Sequence, residues 1–415
     1  MQRWVQGKAV AKKTGKVIKV MTREALLKRK VRRHLHRVGF KRNEYGDLYL
    51  PADSKEAIRA AHQLQREERS TKQKEFLKAK FPKLAPYFAT GIELEPSNIR
   101  PRLQRVISGT LQADLFKLAS LTWSVPVSPG FGRRLRYLVW DDGHERLMGI
   151  LAIGDPVFNL RTRDEYIGWT GEQRSTQLIH TMDAYVLGAV PPYNQLLGGK
   201  VVASLLRTRD VYEDFLAAYG AREGVISGKV NQARLAAITT TSSMGRSSIY
   251  NRIKLDGRHY LKPIGYSSGY GHFHIPDRLF LELRDYLRTQ DHRYADGHKF
   301  GKGPNWKMRA TRTALEMIGE RSNVMMHGVK REVFICELAS NTVAFLKGEA
   351  TELDLSDLKT AEEVAALACQ RWLVPRAIRE TSYRQWTRQH LVDLVSRSSG
   401  VRVSLVEPKR EQARR

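Results

Sequence analysis

Residues 135–206 constrain this chain more than any other stretch. They open on Leu135-Arg136-Tyr137-Leu138-Val139-Trp140, turn at Asp141-Asp142-Gly143-His144, and resume as an apolar run over 147–154. Short apolar runs bounded by turn residues read as buried strands, and two in succession read as a hairpin. A further run over 182–190 stops at Pro191-Pro192. Gly198-Gly199-Lys200 then opens a helical pattern over 200–206. Alternating strand and helix signals commit the middle of the chain to an α/β sheet.

Around this core the pattern is helical. Thr22 stands as an N-cap before a helix over 23–38, with Leu27, Val31, Leu35 and Val38 on one face and Gly39 as its stop. A turn and strand at 47–51 precede a second helix, capped by Ser54 and running to about Arg69. The spacing predicts a helix over 72–81 broken at Pro82, and an amphipathic helix over 102–121 with Leu103, Val106, Leu111 and Leu115 inward. A strand is expected at 235–240, and the helix from Lys200 is expected to continue through 211–219. Helices follow at 276–288, 309–318, 358–373 and 376–396, with Pro375 as a break. Four linear regions result: 1–80 basic and helical, 81–120 a connector, 121–275 the α/β domain, and 276–415 helices and a strand with a basic tail.

Charge narrows the partners. The chain has 415 residues and 71 Lys plus Arg against 43 Asp plus Glu, a net charge of +28. Residues 1–80 hold about +15 of it. That excess exceeds what solubility requires and attracts polyanions, nucleic acid foremost. No apolar run is long enough to span a bilayer and the amino terminus lacks an apolar signal core, so a cytoplasmic protein is expected. Cys336 and Cys369 are too few for a disulfide framework or a zinc signature.

Two segments carry the residue types that hold nucleic acid. The first is the polar face of the helix over 23–38, with Lys28, Arg29, Arg32, Arg33 and Arg37. The second is the block 244–274, where Arg246, Arg252, Lys254 and Lys262 alternate with Tyr250, Tyr266 and Tyr270. Cations meet phosphates while aromatic faces stack on bases. The expected ligand is DNA, single-stranded or duplex.

Catalytic chemistry is less clearly marked. A nuclease gathers carboxylates around Mg²⁺ at strand ends. The candidates are Asp155, Asp164, Glu165 and Asp183, the middle two within Arg163-Asp164-Glu165-Tyr166-Ile167-Gly168-Trp169. Mg²⁺ is expected only if the chain cleaves DNA, and no other metal site is expected. Gln195, Gly198, Gly199 and Lys200 form a candidate phosphate or carrier loop at a helix start. The order of strands and helices fits an acetyltransferase-like sheet, where such a loop receives a pyrophosphate. Gly198-Gly199-Lys200 lacks the earlier glycine of an ATP-hydrolysing loop.

Several of these motifs together resemble the DruA family of the Druantia anti-phage systems, whose members also accompany mobile elements. The resemblance rests on Arg163-Asp164 with Tyr166 to Trp169, and Val190-Pro191-Pro192-Tyr193 with Leu196-Leu197-Gly198. It also rests on His327 to Arg331 followed by Val333, Phe334 and Cys336, on Val31 to Phe40, and on Arg371 to Arg376. It covers most of the chain. The resemblance implies a defence or mobile-element protein, with ATP hydrolysis left to a helicase-type partner.

Sequence and resemblance together predict an α/β (α+β) protein. A central acetyltransferase-like mixed sheet is flanked by basic helical regions, and the protein engages DNA alongside an enzyme partner. A metal-dependent nuclease, a transposase-like enzyme or an acyl-CoA-dependent acyltransferase is the alternative.

Overall fold

The structure is a computed structural model that describes residues 21–51, 55–127, 132–223, 230–297, 304–320 and 322–405. The expected basic arm before Met21, the Ser54 cap and the basic tip after Leu405 lie outside the described residues.

The chain divides into two compact units, one of residues 1–65 and 268–329, the other of residues 66–267 and 330–415. This division cuts across the four linear regions expected above, because a segment that leaves a unit and later re-enters it carries no compositional mark.

The first unit begins with α1 (Arg23–Arg37), whose N-cap Thr22 accepts a hydrogen bond from the Ala25 N–H at 3.2 Å. Leu27, Val31 and Leu35 are buried as the helical spacing requires. Gly39, at φ +90°, ends the turn in a conformation open to glycine. Strands β1 (Lys41–Arg42) and β2 (Leu48–Tyr49) pair antiparallel. The boundary between the units falls within α2 (Lys55–Thr71).

The second unit begins with α3 (Lys74–Leu84), which contains Pro82 instead of ending at it. A proline this close to the last turn removes a single hydrogen bond. Next comes β3 (Pro101–Arg105), which corrects the helix expected from residue 102. Leu103 and Val106 fit either period, and the turn through Gly109 (φ +81°) delays α4 to Leu111–Leu121. The long antiparallel strands β4 (Arg134–Asp141), β5 (Arg146–Gly154) and β6 (Thr181–Ala189) follow. Between β5 and β6 lie α5 (Arg161–Ile167) and α6 (Gly171–Gln177). After β6, a cis peptide joins Pro191 and Pro192. α7 (Gly198–Ser204) and α8 (Arg209–Tyr219) are separate helices where one was expected, because Thr208 is extended and caps α8 through the Val211 N–H. Two short hairpins, β7 (Ala221–Glu223) with β8 (Val230–Gln232) and β10 (Lys254–Leu255) with β11 (Arg258–His259), flank β9 (Ala237–Thr241). β12 (Lys262–Tyr266) ends this segment.

The first unit resumes with α9 (Asp277–Thr289) and α10 (Pro304–Met317). The second resumes with β13 (Glu332–Glu337), α11 (Thr342–Lys347) and α12 (Ala361–Ala368). A π-helical turn over Cys369–Leu373 leads into α13 (Val374–Arg379), which Pro375 enters at its first turn instead of breaking, and α14 (Arg388–Ser399) closes the described chain.

The main sheet has seven strands in the order β12-β13-β9-β6-β5-β4-β3, all antiparallel except the pair β6 and β9. This is a mixed α/β architecture. α7 packs on β5 and β6, where a side chain at Gly149 would strike Val202. Strand alternation puts Asp183 and Thr239 on the opposite face. There, Ile167 and Trp169, from α5 and just after it, pack with Ala237 and Ile335. No helix among the described residues is long and apolar enough to cross a membrane.

Candidate nucleic-acid interface

α1 sorts its cations into two sets. Lys28 Nζ donates to the Gly319 carbonyl at 2.5 Å, and Lys30 pairs with Glu282 at 2.5 Å. Arg32 pairs with Glu320, whose buried carboxylate also takes Arg42 at 3.1 Å. These side chains hold the first unit together. Arg29, Arg33 and Arg37 are exposed. None of the three has a carboxylate partner among the described residues; Arg29 reaches only the Met21 sulfur. At a spacing of four they form one stripe, with successive charges about 6 Å apart along the axis.

In the second unit, Arg246, Arg252 and Lys254 are exposed. The tyrosines of this block divide. Tyr250 was expected to stack on bases, but it is a packing residue: its hydroxyl donates to the Leu187 carbonyl at 3.0 Å, and its ring meets Phe334 edge-on at 5.6 Å. Burial pushes that hydroxyl up to about 12. Tyr266 is 49% exposed on β12, and Tyr270 is 42% exposed but belongs to the first unit. Lys262 donates to the Tyr166 hydroxyl at 2.6 Å, and that hydroxyl donates to Glu337 at 2.9 Å.

The loop before α7 turns through Leu197 in the left-handed region. Gly198 is sterically required, since a Cβ there would come within 2.6 Å of the Tyr193 carbonyl oxygen; at Gly199 it would meet only Ile249 at 3.7 Å. Gln195 is engaged by the C-terminal region: its carbonyl accepts from Arg376 at 3.3 Å and its side chain from Ser382 at 3.5 Å. Lys200 lies over the Trp372 ring at 5.0 Å. Burial lowers its ammonium pKa, and Arg252 and Arg371 lower it further. Three cations from distant segments thus gather on this unit. Arg371 was not among the expected site residues. A lone arginine in a helical pattern gives no sign of it, and the π-helical turn that carries it has no sequence signature.

The four candidate carboxylates do not converge. Asp155 pairs with Arg133 at 2.6 Å, and Glu165 pairs with Arg161 at 2.7 Å on the surface of α5. Asp164 accepts from the buried Arg163 at 2.7 Å, from Arg174 at 3.1 Å and from the Trp169 indole at 3.0 Å. Arg163 also donates to the carbonyls of Val157 and Phe158, both at 2.9 Å. The Arg163-Asp164 motif therefore pins the loop before α5. Asp183 accepts from Thr239 at 2.8 Å. Among the described residues, no three His, Cys, Asp or Glu side chains are placed to share a metal ion.

Sheet and helices define a mixed α/β protein of two compact units. The family described as Druantia protein DruA matches residues 52–348. The chain is 57% identical over 383 residues to the Druantia protein DruA of Escherichia coli (strain UMEA 4076-1), covering 92% of this chain and 95% of that protein. The chain belongs to the DruA family. No solved structure matches it.

Proposed function

We propose that this DruA-family chain, a member of the Druantia anti-phage defence system, is the component that engages DNA and positions it for an enzyme partner. The observation that carries this reading is the Arg29, Arg33 and Arg37 stripe, three exposed guanidinium groups with no carboxylate partner among the described residues, on a chain of net charge +28. Unpaired arginines in line are suited to successive phosphates. The Lys200, Arg252 and Arg371 cluster supports the same reading, because neighbouring like charges that lower the Lys200 pKa are eased by an anion. A helicase-type partner would supply ATP hydrolysis, for which this sequence has no phosphate loop.

The test is fluorescence anisotropy with labelled single-stranded and duplex DNA across a salt series. Binding should weaken steeply with salt. Replacing Arg29, Arg33 and Arg37 with Glu should weaken it for all sequences alike and lower the log–log slope by about one per arginine. Unchanged affinity in that variant would overturn the reading.

A further inference from the structure

Asp164 organises another feature of the sheet unit. An open pocket of about 560 Å³ lies beside α5, lined by Asn159, Arg161, Asp164, Glu165, Trp169 and Arg174, among others. That room is within the range of small-molecule sites. Its wall comes from one short stretch of chain, and the hydrogen bonds of Asp164 hold that stretch in place. One carboxylate oxygen takes Arg163 and the Trp169 indole, and the other takes Arg174. Arg163 is fully buried and fixes the carbonyls of Val157 and Phe158, next to Asn159. A buried guanidinium is costly to desolvate, and here it holds a surface loop still. A binding site that is rigid beforehand loses less freedom when its ligand arrives.

The chemistry of the lining narrows what it takes. Two arginines and two carboxylates are present, and all four are paired, Arg161 with Glu165 at 2.7 Å and Arg174 with Asp164 at 3.1 Å. These charges cancel, so the lining gives an anion little net attraction. Two flat groups stand in the wall, the Trp169 indole and the Arg174 guanidinium. Arg174 lies over the ring of the half-exposed Phe158 at 4.7 Å, and its Nε is buried with no hydrogen-bond partner. Its plane is thus held by Phe158 on one side and by Asp164 at one end. Asn159 is exposed, and its amide offers both donors and an acceptor.

We infer that this pocket receives an unpaired nucleobase, stacked on the Arg174 guanidinium, with Asn159 and Glu165 hydrogen-bonded to its edge. A base is neutral, planar and edged with donors and acceptors. It matches a charge-balanced pocket with flat groups in its wall better than a phosphate does. Unpaired bases stack on aromatic rings and guanidinium planes and are read along their edges. The inference rests on the DNA reading only for the source of the base, since a single strand and a free nucleoside present the same chemistry.

The test uses the full chain and two labelled single strands of equal length, one carrying bases and one abasic throughout, compared by anisotropy. Wild type should prefer the base-bearing strand by about fivefold or more. Arg174→Lys keeps the charge but loses the planar face, so a phosphate contact would survive it and a stacking platform would not. In that variant the preference should fall to about twofold or less. Asn159→Ala, at an exposed position, should lower the preference about threefold. Should Arg174→Lys fail to fold, Asn159→Ala decides. A wild-type preference retained in every folded variant overturns the inference, as does equal binding of the two strands by wild type. Deoxyadenosine, followed by saturation-transfer NMR, separates the sources. Competition between deoxyadenosine and the base-bearing strand assigns the pocket to a base of that strand. Deoxyadenosine binding that Arg174→Lys abolishes, in a chain that binds neither strand, assigns a free nucleoside and overturns the DNA reading alone. A chain that binds neither strand nor deoxyadenosine overturns both.

Discussion

Thr239 donates its hydroxyl hydrogen to the Asp183 carboxylate at 2.8 Å across the parallel strand pair β6 and β9. Desolvation pushes this carboxyl up from 3.8 to about 6, against the opposing pull of Thr239 and Arg163. A raised acid contributes its stability below the unfolded value and loses it as pH rises through the folded one. Asp183→Asn should therefore stabilise the protein at pH 7.5 by on the order of 2 kcal/mol, read as a higher melting temperature, with the gain fading toward pH 4. Thermal melts of both proteins across that range test this. A variant less stable than wild type at pH 7.5 would show that the ionised carboxylate is a net stabiliser.

The first unit should be acid-sensitive. Burial depresses His272 to about 4 and His274 to about 3, and His274 Nδ1 has no partner. A depressed histidine contributes stability above its unfolded value near 6.5 and loses it as pH falls toward the folded value. Hydrogen exchange at matched intrinsic rates should show α1 and α9 losing protection from pH 7 to pH 5. His274→Gln, which cannot ionise, should flatten part of that decline. An identical profile in the variant would place the sensitivity elsewhere.

Adjacent arginines on α1 should behave differently. Arg32→Ala leaves the buried Glu320 with one fewer partner and should cost on the order of 1–2 kcal/mol in stability. Arg33→Ala should leave stability within about 0.5 kcal/mol while lowering the salt slope of DNA binding by about one. Urea melts and anisotropy on the two variants separate the roles. Equal stability losses would mean that the Arg33 side chain also packs.

Tyrosines 250 and 266 should divide in the same way. Tyr250→Phe removes the bond to Leu187 and should cost about 1 kcal/mol with DNA affinity unchanged. Tyr266→Ala should leave the melting temperature unchanged and weaken single-stranded DNA more than duplex, since stacking needs an unpaired base. Equal weakening for both DNA forms would remove Tyr266 from the interface.

The sequence made some of this legible and hid the rest for physical reasons. β4, β5 and β6 were readable because apolar runs with turn residues at both ends have few other solutions, and α1 because Leu27, Val31 and Leu35 keep one face. β3 was hidden because an edge strand is only half-buried, so Leu103 and Val106 could serve a helix as well. The charge of α1 was visible, but not its sorting. Whether Arg32 or Arg33 meets a carboxylate depends on Glu320, 288 residues from Arg32. The tyrosines of 244–274 were alike in composition, and only tertiary packing separates Tyr250 from Tyr266. The gathering of Lys200, Arg252 and Arg371 is likewise a product of the fold, with no local trace.

β12 and β13 are neighbours in the sheet, yet residues 268–329 intervene and belong to the other unit. On the ribosome this imposes an order of events. β9 and β12 are made first, and the strand that lies between them arrives only after the whole intervening segment has been synthesised. Until then the nascent sheet keeps an open edge along β9, able to pair with a wrong strand or a neighbouring chain. The rate at which residues 268–329 are translated and collapse therefore sets how long that edge stays exposed, so slow codons or destabilising changes in this segment should lower the yield of folded protein without touching the sheet itself.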